Sequence, residues 1–491
     1  MGSLTTIQWI SSSTSLLFML AFGAIVGSFI NVVVYRLPRG EGLVRPPSAC
    51  PSCGTRLSWR ENVPILGWLL LRGRCRFCRS PISVEYPAVE LLVALLFGGA
   101  FAMWYMRPSV FELVGLTPAF WTPEWARMGV VASAPMFLLI LLMIGALVAI
   151  TLIDARTFMI PLSIPWLVTA AGFIVHPAYA AWYSFKRAES PAWNEWVLPL
   201  VSGPWLGATL GCTLGIAIAV GLMQVRLLPR SFADYEEWEK EAEAKLKQAE
   251  ETQDASQDDG DAPSLTQVLM RTVLLTGPGV AGMFLGFLFG HPIGQPWLGL
   301  ALGMSVGLVI GVFLRRTMTG PDSHVEPVWL GYPHARREML KELVYLSPAI
   351  GLGALGWWMT GTALADPPLW LGALGGSLAG YLVGGGVVWG VRIFASLAFG
   401  KEAMGLGDVH LMGAVGAVLG WIDPVLAFFT APFLGLLWAA GSVISGTMFN
   451  RSGTAIPFGP HLAISSMLVV LGKPGFEVLL STISGRTIDL P

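Results

Sequence analysis

The feature that most constrains this chain is the recurrence of apolar runs long enough to cross a bilayer, which takes roughly 18 residues or more. Of its 491 residues, 54% are hydrophobic and only 12% are charged, against about 25% charged in soluble domains. In lipid, every backbone polar group of such a run must be paired within the segment, so the runs are helices. The fold expected is an all-α polytopic membrane protein with about twelve transmembrane helices. A net charge of −1 argues for no nucleic-acid partner; the lipid bilayer is the expected surrounding. The first run, 7–35, lacks the basic start and small-residue exit of a cleaved signal. It ends in Arg36 and Arg39, so it reads as a retained helix whose C-terminal end faces the cytoplasm.

Taken in order, residues 1–36 form that first helix. Gly23, Gly27 and Ser28 on it allow close helix packing. Residues 37–84 are rich in Pro, Gly and Arg, a small cytoplasmic domain too short for its own hydrophobic core. Within it, Trp59 to Pro64 and Gly67 to Leu71 read as a strip along the bilayer surface. Helices follow at about 86–106, 134–153 and 158–175, then at 200–223. Residues 226–270 are charged and poor in apolar side chains. Their first part reads as a solvated helix, 235–247, and their later part as a polar linker. Spans at about 273–290, 297–314, 344–360 and 369–398 come next. The last three are a short one at 409–421, then 425–448 and 456–471, before a tail at 476–491.

Two aspartates stand at helix mouths. Asp154 closes the third span, just before Ile160-Pro161. Asp408 opens a later one, after Gly400-Lys-Glu-Ala-Met-Gly-Leu-Gly. A carboxylate in that position is costly in so apolar a chain and calls for a reason. Six expected spans separate the two, an even number, so both emerge on the same side, as do Arg226, Arg230, Arg315, Arg316, Arg336 and Arg337. A carboxylate pair sharing one proton can activate a water against a carbonyl. Each aspartate alone is equally well a helix-end residue in a turn. Glu90, near a helix start, reads as a dipole partner.

The chain holds five cysteines. Cys50, Cys53, Cys75 and Cys78 make two C-x-x-C pairs in the Arg-rich domain, the pattern of a tetrahedral zinc site. Two disulfides are the alternative, disfavoured by the cytoplasmic placement. Cys212 stands alone in an apolar run and reads as core.

Six blocks together resemble the prepilin peptidases, the type IV leader peptidase/N-methyltransferases, which are membrane aspartic proteases. They are Gly27-Ser-Phe-Ile-Asn-Val-Val-Val-Tyr-Arg-Leu-Pro38, Cys50-Pro-Ser-Cys-Gly54, Arg72-Gly-Arg-Cys-Arg-Phe-Cys78 and Ile82-Ser-Val-Glu-Tyr-Pro-Ala-Val-Glu-Leu-Leu92. The fifth joins Ile153-Asp154 with Ile160-Pro161 and the 400–408 stretch, and the sixth is Ile456-Pro-Phe-Gly-Pro460. They run in the family's order and cover residues 15–165 and 370–475. The resemblance implies Asp154 and Asp408 as the catalytic pair and the four cysteines as structural zinc ligands. It implies cleavage of a basic leader from prepilins or type II secretion pseudopilins at the cytoplasmic face of the inner membrane. Methylation of the new N-terminus from S-adenosyl-L-methionine would follow. The methylation residues are unassigned, with Glu61 and Glu85 as candidates.

The chain also departs from that pattern. Leu162 stands where the family has Asp after Ile-Pro, and His410 stands where a lysine is common. Residues 176–368 have no counterpart beyond a short turn. They divide 85–175, carrying Asp154, from 369–475, carrying Asp408, and could dock pilus or secretion machinery. Rival readings are a presenilin-type protease, whose Pro-Ala-Leu motif is missing, an inactive homologue, and a zinc-containing membrane scaffold or transporter.

Overall fold

The computed structural model describes residues 2–106, 129–186, 199–234, 334–361, 365–444 and 458–488, with a few isolated positions between them. The described residues are helical apart from loops, turns and two isolated β-bridges. Eleven α-helices are described: α1 (Gly2–Arg36), α2 (Leu66–Leu70), α3 (Glu85–Tyr105), α4 (Val130–Thr157), α5 (Ser163–Lys186), α6 (Gly203–Gln224), α7 (Ala335–Thr360), α8 (Leu369–Phe399), α9 (Leu406–Leu419), α10 (Ile422–Ile444) and α11 (Phe458–Ser484). Nine of them are long and apolar enough to cross a membrane, and α9 is a shorter apolar helix. These ten correspond to ten of the twelve spans expected. The other two, 273–290 and 297–314, lie outside the described residues, as do the loops at 107–122 and 187–198 and most of the charged 226–270 segment.

Helix α4 is the axis of the bundle. It is the most hydrophobic and the most enclosed of the spans, and the core around it includes Phe137, Ile144, Leu147 and Ile150. Helices α1, α5 and α11 pack directly on it. Helix α3 pairs with α1, α9 sits between α5 and α8, and α6 pairs with α7 against α8. Because lipid is as apolar as these side chains, close approach and shape decide the pairing more than burial from water does. Gly23 and Gly27 illustrate this. A side chain on either would drive into the α3 backbone at Ala94 or Glu90. Gly380 of α8 and Gly416 of α9 face each other in the same way, each with its Cβ direction aimed at the other's carbonyl. Ser377 Oγ then donates to the Ala417 carbonyl across that contact, at 2.5 Å.

Two boundaries differ from the sequence reading. Helix α5 does not stop near Val175 but runs through Pro177 to Lys186. The buried His176 on it reaches the Val418 carbonyl of α9 at 3.0 Å, so packing overrides the proline. Helix α7 begins at Ala335 rather than near 344, taking Arg336 and Arg337 into its first turn. The ends of α1, α3 and α4 meet at one pole of the bundle. There Arg156 Nη2 lies 2.8 Å from Glu85 Oε2, and the 37–84 domain fills the connection between α1 and α3.

The α8–α9 contact holds the C-terminal end of α9 against α8, so crowding it is a direct probe of the packing. Gly380→Leu should destabilise the detergent-solubilised protein by about 1–3 kcal/mol through overpacking. Gly386→Leu, on the same helix with open space around it, should stay within about 0.5 kcal/mol. Thermal unfolding of the two variants separates them; equal shifts would contradict this arrangement.

Candidate active site

Asp154 lies in the last turn of α4 and is 6% exposed; Asp408 lies in the first turn of α9 and is 8% exposed. The chain leaves α4 through Phe158, a left-handed residue (φ 53°) whose N–H bonds to the Asp154 carbonyl at 2.9 Å. A non-glycine residue in that conformation costs about 1–2 kcal/mol, and Pro161, whose carbonyl accepts from Ile164 N–H at 3.1 Å, then fixes φ at the turn into α5. The turn carries Ile160 back over the bundle's pole. There Ile160 covers both Gly407, beside Asp408, and Gly459, beside Asp154. Ends of α4, α9 and α11 therefore converge on one small volume, and the two carboxylates lie within electrostatic range of each other.

A glycine backbone lies beside each carboxylate. The Asp408 N–H bonds to the carbonyl of Gly405, the N-terminal cap of α9, at 3.2 Å. Gly459, in the first turn of α11, lies against Asp154. The Asp154 carboxylate sits so close to Gly459 that a side chain there would collide with it. The C-terminal end of α4 repels a negative charge, and the N-terminus of α11 offsets that repulsion. Helix α9 spans only about 21 Å at 1.5 Å per residue, less than a hydrocarbon core of about 30 Å. At least one of its ends therefore lies below the membrane surface, walled by α4, α5, α8 and α11.

The cysteine domain occupies the same pole. Its two knuckles are built alike: Cys50 N–H bonds Thr55 O at 3.0 Å, and Cys75 N–H bonds Ser80 O at 2.9 Å. The four Sγ atoms lie within 4.8 Å of one another, with Cys50 and Cys78 3.8 Å apart. Zinc–sulfur bonds of about 2.3 Å in a tetrahedron place sulfurs about 3.8 Å apart, so the donor set fits that ion. All five cysteines are free thiols, and the disulfide alternative is not the arrangement formed. The N–H groups of Cys53 and Ser52 hold the Cys50 thiol down at about 6, and the Ser80 hydroxyl lowers Cys78. Both shifts favour the thiolate form that a metal needs.

The remaining acidic residues are engaged elsewhere. Glu61 accepts from Ser58 N–H at 2.8 Å, chiefly lowering its carboxyl below the ordinary value, and lies 3.6 Å from Arg76. Glu85 pairs with Arg156. The buried Glu90 accepts from Ile65 N–H at 2.6 Å, tying α2 to α3 rather than serving α3's own dipole. Around α2, Trp59, Leu66, Leu69 and Leu70 are exposed, the strip expected along a bilayer surface. His410 Nδ1 bonds the Tyr381 hydroxyl at 2.8 Å, away from the aspartates, and Leu162 is exposed. Sequence reasoning missed Arg392 of α8. It is 2% exposed, contacts Glu342 and Glu402, and lies within electrostatic range of Asp408. A lone arginine inside an apolar span was the available signal.

Residues 21–105 match the model of the bacterial peptidase A24 N-terminal domain. Three curated relatives carry the name prepilin leader peptidase/N-methyltransferase. That of Myxococcus xanthus is 58% identical over 80 residues, 16% of this chain and 24% of that protein. That of Dickeya chrysanthemi is 37% identical over 169 residues, 30% of this chain and 50% of that protein. The first two matches thus span about a quarter and a half of those relatives. The third, from Aeromonas hydrophila, is 31% identical over 268 residues, 43% of this chain and 82% of that protein. No solved structure matches. With the matched region extending over most of a full-length relative, and its helices forming one pole with paired aspartates and a cysteine tetrad, this chain belongs to the prepilin leader peptidase/N-methyltransferase family.

Proposed function

We propose that this protein removes the leader of prepilin-like or pseudopilin precursors, using a water held between Asp154 and Asp408. The observation that carries the reading is the convergence of two buried carboxylates at the mouths of α4 and α9, each with a glycine beside it. One carboxylate, ionised, takes a proton from the water as it attacks the scissile carbonyl. The other, protonated, donates to the carbonyl oxygen. The tetrahedral intermediate collapses when a proton reaches the amide nitrogen and the C–N bond breaks. Two like charges this close resist joint ionisation, which favours the singly protonated pair. Ile160 packs over Gly407 and Gly459, so Gly405 is the glycine of the three that leaves room for an extended substrate backbone.

The reading places this pole at the cytoplasmic face of the inner membrane. Supporting it are Arg36, Arg39, Arg60, Arg72, Arg74, Arg76 and Arg156, all on segments at that end, as positive-inside orientation requires. Cys50, Cys53, Cys75 and Cys78 would hold zinc, which supplies the fold of a domain lacking a core of its own. The same relatives' names support methylation of the new N-terminal amine, with S-adenosyl-L-methionine as donor of the methyl group. Glu61 and Glu85 remain candidates for that half, each held by an arginine.

The direct test is co-expression with a prepilin precursor, reading the N-terminal mass for leader loss and for one added methyl group. Asp154→Asn and Asp408→Asn should each abolish leader removal while the protein still inserts; normal cleavage by either variant rejects the carboxylate pair. For the metal, Cys75→Ser should lower the zinc bound per purified chain by elemental analysis. An unchanged zinc content rejects the ligand set.

A further inference from the structure

The stretch 176–368 has no counterpart in the resemblance, yet its last helix reaches the loop that presents Asp408. That loop, 400–405, joins α8 to α9. Two contacts from α7 hold it. At the first, Arg336 donates through Nε to the Leu397 carbonyl at 2.9 Å and through Nη2 to the Ala398 carbonyl at 3.3 Å. It thereby satisfies carbonyls at the end of α8 that have no partner within the helix, with the charge sign that a helix C-terminus favours. The guanidinium lies against Gly400, whose left-handed backbone (φ 71°) starts the loop.

The second contact is buried. Glu342 of α7 is 4% exposed and Arg392 of α8 is 2% exposed. Arg392 Nη2 lies 3.2 Å from Glu342 Oε1, and Trp389 Nε1 donates to Glu342 Oε2 at 2.6 Å. The other guanidinium nitrogen, Nη1, turns to the loop. It is 2.5 Å from Glu402 Oε1 and bonds the Met404 carbonyl, one residue before the cap of α9. The planar fork of an arginine suits this bridging, with one nitrogen to each neighbour. The Phe232 ring, following α6, lies 5.2 Å from the Arg392 guanidinium. Phe232 N–H bonds Glu338 Oε2 at 2.7 Å, and Lys341 Nζ holds Glu338 Oε1 at 2.7 Å. An ionised group buried in a membrane bundle is retained for a purpose, and here the charges form a continuous path from α7 to the residues before Asp408.

We propose that Glu342 is a positioning residue: through Arg392, and beside Arg336, it couples α7 to the loop that sets Asp408. The inference rests on the peptidase reading for its kinetic consequence, but not for its structural one. Losing Glu342 frees Arg392 to shift, and the 402–404 backbone shifts with it. A displacement of about 1 Å remote from the chemistry can cost about a hundredfold in rate. Leader binding need not change, since the strut ends behind the loop.

The test uses the full chain in detergent, with kinetics expressed per folded molecule from size-exclusion chromatography. Glu342→Leu should lower kcat for prepilin cleavage about a hundredfold with KM within about twofold. Glu342→Gln, which keeps one of the two acceptor oxygens used by Trp389 and Arg392, should recover part of the rate. Limited trypsinolysis at the exposed Lys401 should be faster in Glu342→Leu and unchanged in Asp408→Asn. An unchanged kcat per folded molecule, or unchanged cutting at Lys401, overturns the proposal. If the wild-type chain cleaves no prepilin, the peptidase reading fails by itself, and the Lys401 comparison still decides the strut.

Discussion

Everything at the functional pole follows from the burial of two carboxylates in one small volume. Ionised side chains inside a membrane bundle are costly, and two of like sign are costlier. The fold meets part of that cost with helix dipoles: Asp408 lies in the first turn of α9, and the N-terminal turn of α11 faces Asp154. At Gly459 the contact demands glycine, since a side chain would collide with the Asp154 carboxylate. The left-handed Phe158 and the packing of Ile160 on Gly407 and Gly459 then close the site between α4 and α5.

The single buried cation nearby, among the described residues, answers to a different geometry. Arg392 is shared between Glu342, Glu402 and a loop carbonyl. Taking one partner from such a group typically costs 3–5 kcal/mol, roughly, because a charge is left behind without compensation. The α6–α7 pair is thus more than an appendage on α8. Its close glycine-lined contact, Gly207 and Gly211 against Gly356 and Leu352, gives α7 a rigid base from which its first turns reach the pole.

Much of this was legible in the residues. Long apolar runs announced the spans, and Gly23 and Gly27 announced a close helix contact on α1, without naming its partner. The spacing of Cys50, Cys53, Cys75 and Cys78 announced their cluster, because ligand spacing is local. Parity of the spans put Asp154 and Asp408 on one side, and one pole holds both. What could not be read was lateral: which helix lies beside which. Arg392 and Glu342 are fifty residues apart, and nothing along the chain says that they meet. The continuation of α5 past Pro177 was hidden for the same reason, since the contact of His176 with Val418 is tertiary. Glu90 read as a dipole partner from its place near a helix start, whereas its actual partner, Ile65 N–H, comes from a different segment.

The central claim is a distance, and electron cryo-microscopy of the purified protein in a lipid nanodisc measures it. The account predicts carboxylate oxygens of Asp154 and Asp408 no more than about 6 Å apart, the span of two hydrogen bonds through one water, with density for that water between them. Carboxylates facing opposite membrane surfaces, or separated too widely for a shared water, would contradict it.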